Sequence, residues 1–305
     1  MFIIFVRKFY IELFYNSYQF LYMEETNQSQ VLRIDLKYIE EARKIAKNPR
    51  QNILFCEGVQ KINMNNSGTK LRILAITDQS IAYFTNESNP KKKISYGWSS
   101  IQSYSSSKEK QEIDLAFANG PFRFISPKWE EIEKIIFDVL KHVLANDEWD
   151  ALQIDTKKRY HIPHYNLPSA AGVYARYLSM LMQMHKKSPK AIEKQFVKYI
   201  ATYNKTFKLE TDPDLPNFFI LIGDALKPFT KLESLILPRF PDGGINLYND
   251  LAQILIQHSP IQHISIEDSP GNQFLAFCDS LKASQITGLT FHDMNLGQDQ
   301  LSILQ

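Results

Sequence analysis

Cysteine is almost missing: the 305 residues hold only Cys56 and Cys278, far apart and each flanked by apolar residues. That shortage excludes a disulfide framework and fits a reducing compartment. An excess of one charge is missing as well. With 35 basic and 33 acidic residues the formal charge is +2, so no overall field draws the chain to nucleic acid, and any basic surface must be local. Long uncharged apolar runs are also missing. Residues 1–22 are crowded with Phe, Tyr, Ile and Leu, but Arg7, Lys8 and Glu12 interrupt them, short of the roughly 20 apolar residues of a transmembrane helix. No small-residue cleavage site follows. Catalytic motifs are equally scarce. There is no Gly-rich phosphate loop, nucleophile elbow or catalytic carboxylate pair, and Asp242-Gly243-Gly244 sits where a loop between structural units is expected. His161 and His164 stand in an H-x-x-H spacing around Pro163 with no Cys or carboxylate at ligand distance in sequence. The chain is therefore expected to be neither an enzyme nor a metal or cofactor protein.

Residues 1–22 read either as a mis-assigned start or as a segment lying at a membrane surface. The first reading is preferred, because the polar opening at Met23 resembles an ordinary terminus. Residues 35–49 carry Leu36, Ile39, Ala42 and Ile45 at helical spacing, which predicts an amphipathic helix ended by Asn48-Pro49. Over 52–126 the texture becomes alternating. Seven strands are predicted, at 53–64, 70–77, 80–84, 93–98, 101–105, 112–117 and 121–125, divided by polar turns such as Asn119-Gly120. Trp129, Ile132, Ile135, Ile136, Val139, Leu140 and Val143 then form one apolar stripe. Such a helix must close an open end or face of the sheet, since alone it leaves that stripe in water.

A connector follows, and then a predicted helical hairpin within 169–206. Its first helix presents Val173, Leu178, Leu181 and Met184, and its second presents Ile192, Phe196, Ile200 and Tyr203. Met180, Met182 and Met184 are assigned to the hairpin core. Beyond residue 213 helix and strand alternate. Leu232, Leu235, Leu237, then Ile261, Ile264, Ile266, then Ile286, Leu289, Phe291 repeat one pattern at steps of 29 and 25 residues, the spacing of a leucine-rich repeat. A further helix is expected at 298–304, where the array stops without a polar capping repeat and so reads as truncated. The expected organisation is 1–22, the helix at 35–49, a β domain at 52–145, a helical linker at 146–212 and repeats at 213–305.

The β domain resembles a pleckstrin-homology domain, a bent seven-strand sandwich closed by one C-terminal helix. Members that bind phosphoinositides carry a lysine in the first strand and a basic-x-Arg triplet in the second. Here Lys61 precedes Lys70-Leu71-Arg72. The order of this domain, a helical linker and leucine-rich repeats resembles the N-terminal half of CARMIL proteins, membrane-associated regulators of actin capping, and equally resembles the related PH-repeat proteins of protists. The fold class implied is an α+β pleckstrin-homology-like sandwich, then an α/β solenoid. The resemblance implies a cytoplasmic, non-enzymatic adaptor at the plasma membrane, with anionic lipid and a protein as partners and no nucleic acid; a lipid-independent interaction scaffold is the alternative. The expected lipid site is one rim made of Lys61, Lys70, Arg72, Lys91, Lys92 and Lys93, because phosphate recognition needs charged donors converging from several loops. The expected protein-binding face is Glu233, Ile236, Gln262, His263, Ser265, Thr287 and Thr290, the outward positions of the repeat strands.

Overall fold

The computed structural model describes residues 34–47, 51–63, 68–155, 170–202, 205–228, 232–238, 247–256, 261–267, 274–282 and 284–292. The expectations for residues 1–22, for His161 and His164 and for a helix at 298–304 lie outside them.

Helix α1 (Leu36–Ala46) precedes seven strands: β1 (Ile53–Ile62), β2 (Thr69–Thr77), β3 (Ser80–Phe84), β4 (Lys92–Gly97), β5 (Ile101–Ser107), β6 (Glu112–Phe117) and β7 (Gly120–Ile125). Their order in the sheet is β4-β3-β2-β1-β7-β6-β5. Each run is long enough for one strand and ends in polar turn residues; Gly120 adopts φ 134° at the β6–β7 turn, which a side chain would strain. β1 and β7 pair only at Gln60 with Ile125 and Lys61 with Phe124. The sheet bends at this seam. Tyr83 on β3 and Phe122 on β7 are not sheet neighbours, yet their rings stack at 3.9 Å, so the two halves face each other across an aromatic core. Helix α2 (Trp129–Val143) closes that core with the full stripe from Trp129 to Val143 buried.

β6 shows the simple case of a half-buried strand, with Ile113, Leu115 and Phe117 inward and their neighbours half-exposed. β3 departs from it, being buried at every position. The reason is α1, whose Ala42 packs with Cys56, Ile73, Ala75, Ala82 and Phe84 on the outer face of the sheet. Ile39 joins this contact, but Leu36 is 73% and Ile45 49% exposed. The predicted four-residue stripe is thus corrected, because they flank the helical face that meets the sheet. Cys56 lies in the contact with its thiol pushed up to about 11 by burial, and both cysteines are free.

Two short strands escaped the sequence reading. β8 (Gln153–Asp155) follows helix α3 (Asn146–Ala151) and adds to the sheet in parallel beside β5. β9 (Thr206–Lys208) follows the hairpin α4 (Ala170–Gln183) and α5 (Lys190–Thr202). Three residues are too few for an alternation to register. β9 begins a second, parallel sheet ordered β12-β11-β10-β9, with α6 (Leu215–Leu226), β10 (Ser234–Leu237), α7 (Leu247–Ile256), β11 (His263–Ile266), α8 (Phe274–Lys282) and β12 (Gly288–Phe291) alternating along the chain. Leu235 aligns with Phe207, Ile264 and Leu289. The molecule is therefore mixed α/β, with one large bent sheet and one small parallel sheet.

Helix α4 joins the two. Its Ser179 Oγ lies 2.9 Å from Ser99 Oγ, and Gln183 Nε2 donates to Ser99 Oγ at 2.9 Å. A Cβ on Gly97 would stand 2.5 Å from Ser179 Oγ and 2.7 Å from the Ser179 carbonyl oxygen. Gly97→Ala is therefore expected to cost about 1–3 kcal/mol as an overpacked contact. A lower urea midpoint tests this, and an unchanged one refutes it.

Met184 corrects another expectation. Helix α4 ends at Gln183, so Met184 leaves the hairpin core and is 50% exposed.

Candidate functional site

β1 and β2 form a hairpin in which Lys61 and Lys70 are direct register partners. Cross-strand partners project from the same face, and so does Arg72, two residues along β2. The three cations therefore share the inner face at the open end of the hairpin. Lys61 is anchored there, because it also pairs with Phe124 across the seam and its Nζ lies 5.5 Å from the centroid of the Tyr83 ring, a cation–π distance. The Tyr83 hydroxyl donates to the Arg123 carbonyl at 2.8 Å, which holds the ring. Arg72 Nη1 donates to the Leu71 carbonyl at 2.9 Å.

Burial lowers the pKa of Lys61, and the charges of Arg72 and then Lys70 lower it further. Uncompensated like charge is what a bound anion relieves. Among the described residues no carboxylate forms an ion pair with Lys61, Lys70 or Arg72. Arg123 gives the contrast: Glu112 at 2.6 Å and Asp114 at 2.8 Å hold it. Tyr83 is buried, but its ring also carries Lys61, a pairing that only the bend of the sheet creates.

The expected single rim is corrected at Lys92; Lys91 in the β3–β4 connection and Lys93 in β4 flank it. All three are exposed and stand at the same end of the sheet, since the β1–β2 and β3–β4 connections both lie there. A register shift between Tyr83 and Phe84 sets Lys92 opposite Phe84, whose ring packs on the α1 side. Lys92 thus belongs to the outer face, opposite to Lys61, Lys70 and Arg72. The loop before these lysines is fixed: the Lys91 amide donates to Thr85 Oγ1 at 2.9 Å, and Glu41 Oε2 on α1 accepts from the Asn89 amide at 3.1 Å.

On the parallel sheet, Gln262 and Thr287 are exposed and Ile236 is half-buried. Ser265 corrects the expectation of an accessible face. It is 7% exposed, because it stands in register between the larger Ile236 and Thr290. Other positions are already engaged within the chain. Glu233 pairs with Lys205, and His263 Nε2 lies 3.1 Å from Thr290 Oγ1. Among the described residues no cluster of three metal-ligating side chains occurs, and no helix is long and apolar enough to cross a membrane.

No family model matches the chain, and no curated protein does. Among solved structures it is similar to the carboxyl-terminal PH domain of pleckstrin, at 11% identity over 29% of this chain and 94% of that one, with a TM-score of 0.26. It is also similar to the hSac2 domain from the human phosphoinositide phosphatase Sac2, at 10% identity over 44% of this chain and 94% of that one, with a TM-score of 0.29. Likeness at this level assigns neither chemistry nor ligand. The expectation that the chain is not an enzyme is withdrawn, since the second neighbour is itself a domain of a phosphoinositide phosphatase.

Proposed function

We propose that this chain is a membrane adaptor whose bent sheet is pleckstrin-homology-like and takes an anionic lipid headgroup on Lys61, Lys70 and Arg72. Its parallel sheet is read as leucine-rich repeats that hold a protein around Ile236, Gln262 and Thr287, and its order of parts as CARMIL-like. The observation that carries the lipid reading is the juxtaposition of three cations on one strand face with no ion-paired carboxylate among the described residues. The antiparallel order ending in a closing helix supports the fold assignment. Register partners on the parallel strands recur at steps of 28, 29 and 25 residues, which supports the repeat reading.

Flotation of the chain with phosphoinositide vesicles tests the site. Wild type is expected to bind at low salt and less at physiological salt. Lys70→Glu/Arg72→Glu removes two positive charges and adds two negative ones, so the partition should fall more than about tenfold at roughly 1 kcal/mol per basic residue. A folded double variant that floats as well as wild type refutes the headgroup site.

A further inference from the structure

The helical hairpin carries a second basic surface with no counterpart in the expected lipid site. Helix α4 ends in a built turn. Lys186 N–H donates to the Leu181 carbonyl at 3.0 Å and His185 N–H to the Met182 carbonyl at 3.2 Å, with His185 at φ 53°, the pattern of a Schellman cap. The turn fixes where the following lysines start. Lys186 and Lys187 are exposed, and on α5 so are Lys190, Lys194 and Lys198. The last three are spaced four apart and make one stripe on the helix. The opposite side buries Ile192, Phe196 and Tyr199.

Counter-charge on this face is slight. Glu210 pairs with Lys198 at 3.3 Å in an exposed bridge, which contributes little, and Glu193 is buried. Lys187, Lys190 and Lys194 form no ion pair among the described residues. Two apolar side chains stand beside the lysines, Met184 at 50% and Val197 at 43% exposed. Lysines mixed with exposed apolar groups suit a headgroup boundary, where charge meets anionic lipid and apolar atoms enter the acyl edge.

The packing of α4 on β4 orients this surface. Ser179 meets Gly97 and Ser99, while Met182 Sδ lies 3.6 Å from Ser95 Oγ. Moving up α4 therefore means moving back along β4, towards Lys93 and Lys92. The end of α4 points to the same end of the sheet as the two basic hairpin loops.

We propose that the α4–α5 turn and the lysine stripe after it form a second, charge-driven contact with an anionic bilayer. The proposal shares the membrane with the adaptor reading but not its headgroup site. The occupant is the bilayer surface and not one headgroup, because the lysines are spread along a helix and nothing encloses them.

The test is flotation of the full chain on phosphatidylcholine vesicles with and without phosphatidylserine, without phosphoinositide, at low and high salt. Wild type should float only with phosphatidylserine and be released by salt. Lys187→Glu/Lys190→Glu/Lys194→Glu should lower that partition by about tenfold or more, and the matching Gln variant should fall between. All three are exposed and form no hydrogen bond or ion pair through their side chains among the described residues, so the thermal midpoint should stay put and report folding. Unchanged flotation of the folded Glu variant overturns the proposal, even if that variant loses affinity for a soluble polyanion such as RNA. Equal binding of wild type to uncharged vesicles also overturns it. If Lys70→Glu/Arg72→Glu leaves phosphoinositide binding intact, only the headgroup site fails; the phosphatidylserine arm still reports on the stripe.

Discussion

Replacing Arg176 by methionine is expected to lower the thermal midpoint of the chain by on the order of 10 °C. Arg176 on α4 is 4% exposed and ties four elements together. Its Nη1 and Nη2 donate to the two Glu148 carboxylate oxygens on α3 at 2.5 and 2.6 Å. Nη1 also donates to the Val143 carbonyl at the end of α2 at 3.0 Å, and Nε to the Asp224 carbonyl on α6 at 2.9 Å. Glu148 in turn accepts from the Ala145 amide at 3.0 Å. Methionine fills much of the volume but donates nothing, so a carboxylate and two carbonyls lose their partner. Breaking a buried pair from one side costs about 3–5 kcal/mol, and Glu148, whose side chain is 30% exposed and partly solvated, sets the cost here at the lower end of that range. The Arg176→Met/Glu148→Gln double variant should recover part of the loss, since the unpaired charge is then gone. Differential calorimetry measures both, and a midpoint within a degree of wild type for Arg176→Met refutes the assignment of Arg176 as the joint between the sheets.

Asp78→Asn is expected to stabilise the protein by an amount that is absent below about pH 4 and grows as pH rises towards neutrality. Asp78 sits at the β2–β3 turn, where its Oδ1 accepts from the Asn52 amide at 3.2 Å and its Oδ2 from Asn52 Nδ2 at 3.0 Å. Burial pushes its pKa up to about 7, although both Asn52 bonds pull it down. The folded state therefore holds the proton more tightly than the unfolded chain, whose carboxyl titrates at its ordinary value of 3.8. Below that value both states are protonated and the full stability is present. Between there and neutrality the unfolded chain loses its proton first, so stability falls as pH rises, levelling off once the folded carboxyl is ionised. A three-unit difference corresponds to about 4 kcal/mol at most, and Asp78, which is only half-buried and so partly screened by water, keeps less than that. Asparagine removes the charge and keeps two hydrogen bonds once the Asn52 amide turns over. Urea unfolding at acid and alkaline pH should show no gain below pH 4 and a gain of about 2–4 kcal/mol at pH 8. A gain of equal size at both pH values contradicts burial of the charge as the cause.

Alternation and helical spacing by themselves determined the seven strands, the closing helix with its stripe from Trp129 to Val143, the helical hairpin and the alternation of helix with strand towards the C-terminus. These are local patterns, set by which residues face a core two or about four positions apart. The adjacency of Lys61, Lys70 and Arg72 was half legible. A hairpin around 63–68 brings the two strands together, but only the register makes Lys61 and Lys70 partners. Tertiary structure alone decided the rest. The bend at the β1–β7 seam brought Tyr83 under Lys61, and the cover of α1 turned β3 into a fully buried strand. The register shift at Tyr83 and Phe84 sent Lys92 to the other face. Arg176 and the lysines of α5 looked alike in sequence, as cations on helices. One is buried as a joint and the others line open surface, because the path of α4 between two sheets, which no local pattern encodes, determines which side of each helix meets protein and which meets water.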